Sequence, residues 1–274
     1  MAEPAPPARA IETGSEKLLC RVEERVAVVT LNDPERRNPI GGELRPLLRR
    51  LIDRIAGDEE VRCVLLTGAG AAFSAGGDTR AMASGRQPSL AERVRSIKWE
   101  HAASAVLHEM PKPCVAALPG PAAGAGFGLA LACDLRIAAE SAFFVSAYAR
   151  LGLSGDYGLT WFLSRLVGPA KAREICFTSA RISSREALEL GLVNRVVPDA
   201  ELPDEAFALA RQLAGASPLG LAGLKANLND ALDLDLRRTL DREAERQCRL
   251  GESEDFVEAA RAFVEKRPPV FKGR

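Results

Sequence analysis

Three observations predict an α/β fold. Short apolar, β-rich runs alternate with stretches whose apolar residues recur at helical spacing. The strand candidates tend to come in close pairs, so the order is nearer to strand-strand-helix than to strand-helix, although no exact period is visible. From Leu159 onward the texture becomes almost wholly helical.

Residues 1–15, which open "MAEPAPPARA", are Pro-rich and weakly apolar and predict a disordered tail. "KLLCRVEERVAVVTLN" holds two strand-like runs around Glu23 and Glu24, a hairpin pattern. "GGELRPLLRRLIDRIAGD" carries Leu44, Leu47, Leu48, Leu51, Ile52 and Ile55 at helical spacing, and Gly57 marks its end. "VRCVLLTG" is a buried-strand candidate. "LAERVRSIKWEHAASAVLHEM" follows as a helix, "KPCVAALPG" as a strand, "GAGFGLALACD" as a helix start rich in small residues, and "LRIAAE" and "AFFVSA" as strands. Beyond Leu159 only "LVNRVV" suggests a strand, while Ser183 and Glu186 fit a helix capping box. The chain divides into a tail over residues 1–15, a core over 16–200 and a helical region over 201–274.

The 274 residues are 47% hydrophobic and 27% charged, enough for one large core. With 37 basic and 37 acidic side chains, the charge balance gives no footprint for nucleic acid or an anionic membrane surface. No apolar stretch approaches the roughly 18 residues of a transmembrane helix, and the N-terminus lacks a signal-peptide pattern. A cytoplasmic location is expected. The six cysteines are scattered without a C-x-x-C pair and predict reduced thiols, most of them in the core.

Histidine is scarce. His101 and His108 lie seven apart on one helix-like segment, and their default place is a helix face. Neither a metal site nor a Ser-His-Asp triad is expected from them. "GPAAGAGFG" is glycine-rich but misspaced for dinucleotide binding: the third glycine of that fingerprint would fall on Leu129. Two glycine-rich turns remain, each after a strand candidate: "LLTGAGAAFSAGGDTRAM" and "CVAALPGPAAGAGFGLALACDLRIAAE". Glycine lets backbone amides approach a ligand, and in the second turn they fall at a helix N-terminus that favours negative charge. Two amides converging on one oxygen would hold an oxyanion. Tight strand-to-helix turns without a ligand would show the same residues.

At these turns the sequence resembles the enoyl-CoA hydratase/isomerase (crotonase) superfamily. The resemblance runs from about Lys17 to Arg274 and includes "LNDPERRNPI", "VLLTGAGAAFSAGGD", "KPCVAALPGPAAGAGFGLALACDLRIAAESAFF" and "RLVGPAKAREICFTSARISSREALELGLVNRVVP". It implies a spiral of β-β-α repeats with a helical C-terminal extension, trimers or dimers of trimers, and an acyl-CoA thioester as substrate. Coenzyme A enters as part of that substrate, with no further cofactor. The resemblance places the two oxyanion amides at Gly77 and Ala125. It places substrate contacts at Arg36, Arg37, Pro39, Ala75, Asp78, Thr79, Gly124, Tyr148 and Leu153, and at Lys272 on a basic C-terminal position that often serves a neighbouring subunit.

Hydratases of this family use two glutamates, one to activate water and one to protonate carbon. The corresponding positions here are Gly128 and Tyr148, neither of them acidic. Asp156 lies eight residues after Tyr148, where an acid resembles that of family members that move double bonds, the ring-epoxide isomerase type above all. "LSGD" departs from the usual "IPD" there, and Leu159 replaces a glycine. A lone carboxylate suits isomerisation by one base through an oxyanion-held enolate. Asp156 also directly precedes a helical run, so an N-cap role stands beside the catalytic one. A hydratase with atypical acid and base groups, and a non-catalytic acyl-CoA-binding or macromolecule-binding relative, are the competing functions.

Overall fold

The computed structural model describes residues 7–83 and 88–274. Residues 1–6 of the expected tail lie outside the described residues. From Arg9 the tail expectation is corrected: β1 (Arg9–Ala10) pairs antiparallel with β2 (Leu18–Glu23), and Ile11 is buried at 3% exposure. Composition missed this because one apolar side chain and a two-residue ladder suffice to anchor a short polar segment.

β2 and β3 (Val26–Leu31) form the expected hairpin. α1 (Leu44–Ala56) buries Leu44, Leu48, Leu51, Ile52 and Ile55, the stripe that its spacing dictates, and stops at Gly57. β4 (Cys63–Gly68) then enters beside β3, parallel to it. After the first glycine-rich turn come α2 (Thr79–Ala83) and α3 (Leu90–Glu109), the latter started by a capping box of Ser89 and Glu92. β5 (Cys114–Leu118) pairs with β4; β6 (Ala122–Ala123) and α4 (Ala125–Leu131) follow, then β7 (Leu135–Ala139) and β8 (Phe143–Val145). α5 (Leu159–Thr178) is bent at Gly168 and Pro169, where proline removes a helical donor. β9 (Ile182–Ser183), α6 (Ser184–Glu189) and β10 (Arg195–Val197) complete the strands.

The large sheet runs β1-β2-β3-β4-β5-β7-β10, with every pair from β3 onward parallel. The short strands β6, β8 and β9 form a second sheet. A bridge from Ser74 to Ala122 extends that second row toward the turn after β4. Each pass of the chain therefore leaves one strand in the large sheet and a short strand or bridge in the other, which is a spiral of strand-strand-helix turns.

α7 (Leu202–Gly215) lies across β3, β4, β5 and β7. Its buried face is Ala206, Ala210 and Ala214, small residues one turn apart that let the helix approach the sheet closely. The helix thus belongs to the core layer, although a sequence division at residue 200 sets it with the extension. α8 (Pro218–Asp230), α9 (Leu236–Gly251) and α10 (Glu254–Glu265) form the extension. Lys225 pins α8 to the core, donating to the Leu107 and Lys112 carbonyls at 2.7 and 3.0 Å and to Asp134 at 2.8 Å. Among the described residues no helix is long and apolar enough to cross a membrane, and no group of three or more His, Cys, Asp or Glu side chains gathers as metal ligands do.

Candidate active site

Parallel neighbours β4 and β5 end side by side, so the two glycine-rich turns that follow them meet. The Phe73 and Ser74 amides donate to the Pro121 carbonyl at 3.1 and 3.0 Å, and the Ala123 amide returns a bond to the Ser74 carbonyl at 2.9 Å. At Gly76 φ is +86° and a Cβ would stand 2.7 Å from the Ala123 oxygen and 3.6 Å from the Ala125 nitrogen. Only glycine fits there. Ala125 is the first residue of α4 and Gly77 follows Gly76, so both amides lie where the turns converge. Among the described residues neither amide has a hydrogen-bond acceptor.

Asn38 and Ser74 hold this junction, and sequence reasoning singled out neither. Asn38 is fully buried at a φ of +55°, a region that asparagine tolerates better than most residues. Its amide donates to the Ala69 and Ala72 carbonyls at 2.9 and 2.8 Å, and its side-chain oxygen accepts from the Asp33 amide at 2.8 Å. Ser74 Oγ donates to the Asn38 carbonyl at 2.7 Å. The signal was an asparagine before a proline, in a segment noted for Arg36, Arg37 and Pro39.

Among the residues that the resemblance implicated, Arg36 and Asp78 are joined across the rim at 2.8 Å. Asp78 also accepts from the Arg80 and Ala81 amides, each at 3.1 Å. Burial pushes its carboxyl up, but the Ala81 amide and Arg36 outweigh it and hold the group below the usual carboxylate range. The Arg37 carbonyl accepts from the Ala75 amide at 2.7 Å, so Arg37, Pro39 and Ala75 share the same loop junction, and Thr79 opens α2 beside it. Lys272 is elsewhere. Its chain neighbour Phe271 bonds Arg62, just ahead of β4, while the site lies past the far end of that strand. Six residues of strand separate them by about 20 Å. This chain does not bring Lys272 to its own site.

The second half of the site is the loop before α5. Tyr148 donates its hydroxyl to Asp156 Oδ1 in a short hydrogen bond. Its ring stands over Gly124, where a Cβ would be 3.6 Å from Cζ. Burial first, and then the charge and hydrogen bond of Asp156, raise the Tyr148 pKa far above its ordinary value, so it stays a neutral donor. Asp156 caps nothing: the N-cap of α5 is Gly158, and no side chain bonds the helix amides there. The carboxylate is turned away from the helix toward Tyr148, which removes the N-cap reading. Leu153 sits on the rim of this loop at 49% exposure.

Gly128 shows why position 128 carries no acid. A Cβ there would lie 3.1 Å from the carbonyl oxygens of both Asp156 and Tyr157 and from Tyr157 Cβ. The backbone that presents Asp156 fills the space a larger side chain would need. His101 on α3 lies beside this backbone, with Nε2 3.7 Å from Asp156 Oδ2 and its ring 4.5 Å from that of Tyr157. It also lines a cavity of about 510 Å³ whose walls include Ser104, His108, Trp161 and Phe162. The sequence placed His101 on a helix face, and nothing in one helix signals a partner on a distant loop.

A spiral of strand-strand-helix turns with two unpartnered amides at a strand-end junction is the crotonase fold. The chain belongs to the enoyl-CoA hydratase/isomerase family, whose model matches residues 21–274. It is 39% identical to the 1,2-epoxyphenylacetyl-CoA isomerase of Escherichia coli K12 over 94% of this chain and 99% of that protein. It is equally 39% identical to a Rhodobacter capsulatus protein named "probable enoyl-CoA hydratase", over 92% of this chain and 96% of the relative. The crystal structure of an enoyl-CoA hydratase from Polaromonas sp. JS666 superposes with a TM-score of 0.88 at 35% identity, covering 93% of this chain and 99% of that one.

Proposed function

We propose that this protein is an acyl-CoA isomerase that shifts a double bond by moving one proton. Asp156 is the base, and the Gly77 and Ala125 amides hold the thioester oxygen. The observation that carries this is the pairing of Asp156 with Tyr148 beside the junction of the two turns, with no acid at position 128 or 148. Asp156 takes a proton from the α-carbon of a β,γ-enoyl thioester. The electrons of that C–H bond move into a dienolate whose negative charge rests on the thioester oxygen. Asp156 then delivers the proton to the γ-carbon, giving the α,β-enoyl thioester. One well-placed amide is worth about 3–4 kcal/mol to such a charge, and a positioned base about 10² to 10⁴ in rate.

Tyr148 argues against hydration. A phenol held neutral and spent on Asp156 has no spare acid or base function to activate water. Arg36, at the rim, is offered to the coenzyme A phosphates. The cavity beyond His101 receives the acyl group, and its aromatic edges suit a ring-bearing one, as in the 1,2-epoxyphenylacetyl-CoA named for the Escherichia coli relative. A homotrimer or hexamer would bury the exposed Leu224, Leu228 and Leu232 and would carry Lys272 toward a neighbour's site.

Asp156→Asn tests the assignment. It is expected to abolish β,γ to α,β conversion while leaving thioester binding intact. Full conversion by that variant would refute the base. Hydration of crotonyl-CoA lost in Tyr148→Phe would instead favour an atypical hydratase, and tight thioester binding without turnover would favour a non-catalytic relative.

A further inference from the structure

Asp156 has one oxygen tethered and one not. Tyr148 holds Oδ1. A carboxylate held at a single oxygen still swings about that contact. The stretch that carries it has glycine at 152, 155 and 158, all at positive φ, and the Asp156 side chain is 27% exposed. Proton transfer between two carbons of one substrate demands the opposite, because one oxygen must face both carbons in turn, and misplacement by about 1 Å costs on the order of a hundredfold.

A second group stands close to the free oxygen. Oδ2 faces His101 Nε2 at 3.7 Å, just beyond a formed hydrogen bond. The imidazole packs at a 40° tilt against Tyr157, the next residue after Asp156, so ring and carboxylate are registered to each other through one stretch of backbone. Behind the ring, Arg45 on α1 pairs with Glu100 on α3 at 3.3 Å, and Glu100 also accepts from Ser96 at 2.8 Å.

We propose that His101 is a positioning residue for the Asp156 carboxylate: as a neutral imidazole it fixes Oδ2 for the transfer, and as an imidazolium it captures Oδ2 in an ion pair and silences the base. This rests on Asp156 being the base. The groups facing the ring are Asp156 from the loop before α5, Arg45 from α1, Glu100 on α3 and the Tyr157 phenol; His108, Glu109, Asp230 and Asp233 line the same cavity. Burial lowers the His101 pKa, Asp156 and Glu100 oppose it, Arg45 adds to it, and the lowering wins. The ring is therefore neutral at pH 7 and charges only on the acid side of the ordinary imidazole value of about 6.5.

The test measures isomerase kcat and KM from pH 5 to 9 for the wild type, His101→Phe and His101→Asn, with Asp156→Asn alongside. Phe keeps an aromatic ring against Tyr157 and loses Nε2; Asn keeps a hydrogen-bonding group. His101→Phe is expected to lower kcat about tenfold, with KM within about twofold, because only orientation is lost. His101→Asn recovers most of that loss. In both variants the acid limb of kcat moves to lower pH, since no imidazolium remains to trap the carboxylate. If His101→Phe does not fold by circular dichroism, the shifted acid limb of His101→Asn decides alone. Wild-type kcat and an unmoved acid limb in the folded variants overturn the role of His101 while leaving Asp156 as base. Activity in Asp156→Asn overturns both.

Discussion

Gly128 offers the sharpest perturbation, because the family resemblance sets it at a hydratase glutamate position and it packs against the backbone of Asp156, the proposed base. Replacing glycine by alanine inside a helix ordinarily stabilises by about 0.5–1 kcal/mol. Here the new methyl meets two carbonyl oxygens and a Cβ at 3.1 Å, and none of these can rotate aside. Overpacking of this kind costs about 1–3 kcal/mol. The net expectation for Gly128→Ala is a loss of about 0–2 kcal/mol, or a Tm drop of several degrees at most for a chain of this size. Activity responds more than stability. The clash is relieved where the Asp156–Tyr157 segment moves by a few tenths of an ångström. A displaced base lowers kcat by roughly tenfold. Gly128→Glu adds five heavy atoms, among them a second carboxylate beside Asp156, and isomerase kcat is expected to fall by about a hundredfold or more. Thermal unfolding and kcat for β,γ to α,β conversion read both variants, with crotonyl-CoA hydration as a third assay. The reasoning fails if Gly128→Ala keeps wild-type kcat, or if Gly128→Glu hydrates crotonyl-CoA while still isomerising at the original rate.

Tyr148→Phe removes a hydrogen bond to a charged acceptor, worth about 1.5–3 kcal/mol, so kcat is expected to drop about 10- to 150-fold with KM little changed; a change under threefold would show that the hydroxyl does not orient the base. Asn38→Ala strips three hydrogen bonds from a fully buried turn and leaves alanine at a φ of +55°. A loss of about 2–4 kcal/mol is expected, read by denaturant unfolding, and a midpoint unchanged within error would contradict the role assigned to that turn.

The fold was legible because its signals are local and repeated. The stripe of α1, the β2–β3 hairpin and the apolar runs of β4 and β5 each state their own structure within a short window. The second sheet was not legible as a sheet: β6 and β9 are two residues each, and their pairing is decided by the spiral rather than by propensity. The two turns were visible from their glycines, yet what clamps them together was not. Asn38 and Ser74 act through bonds spanning 34 and 36 positions, and a single sequence carries no mark of such partners. His101 went unread for the same reason, since its partner Asp156 lies on another element 55 residues away by number. Lys272 was placed by likeness to proteins that assemble, and one chain alone keeps it at the opposite end of β4.

Gly128 and Asp156 are best understood as one feature. A glutamate at 128 and the Asp156–Tyr157 backbone compete for the same volume, because the contacts of a Cβ at 128 are to atoms of that backbone. Losing the first acid is therefore what lets the second approach. Tyr148 completes the exchange: at the other hydratase position the chain carries a donor that holds Asp156 instead of an acid that would repel it. Three positions scattered in sequence thus depend on one another. A glutamate beside the present loop would collide, an aspartate without Tyr148 would swing, and a tyrosine without Asp156 would leave a hydroxyl, 91% shielded with its residue, lacking its acceptor. The proposed function is consistent with that mutual exclusion: two carboxylates can divide the work of adding water, whereas one carboxylate beside an oxyanion site suits carrying a proton from one carbon to another.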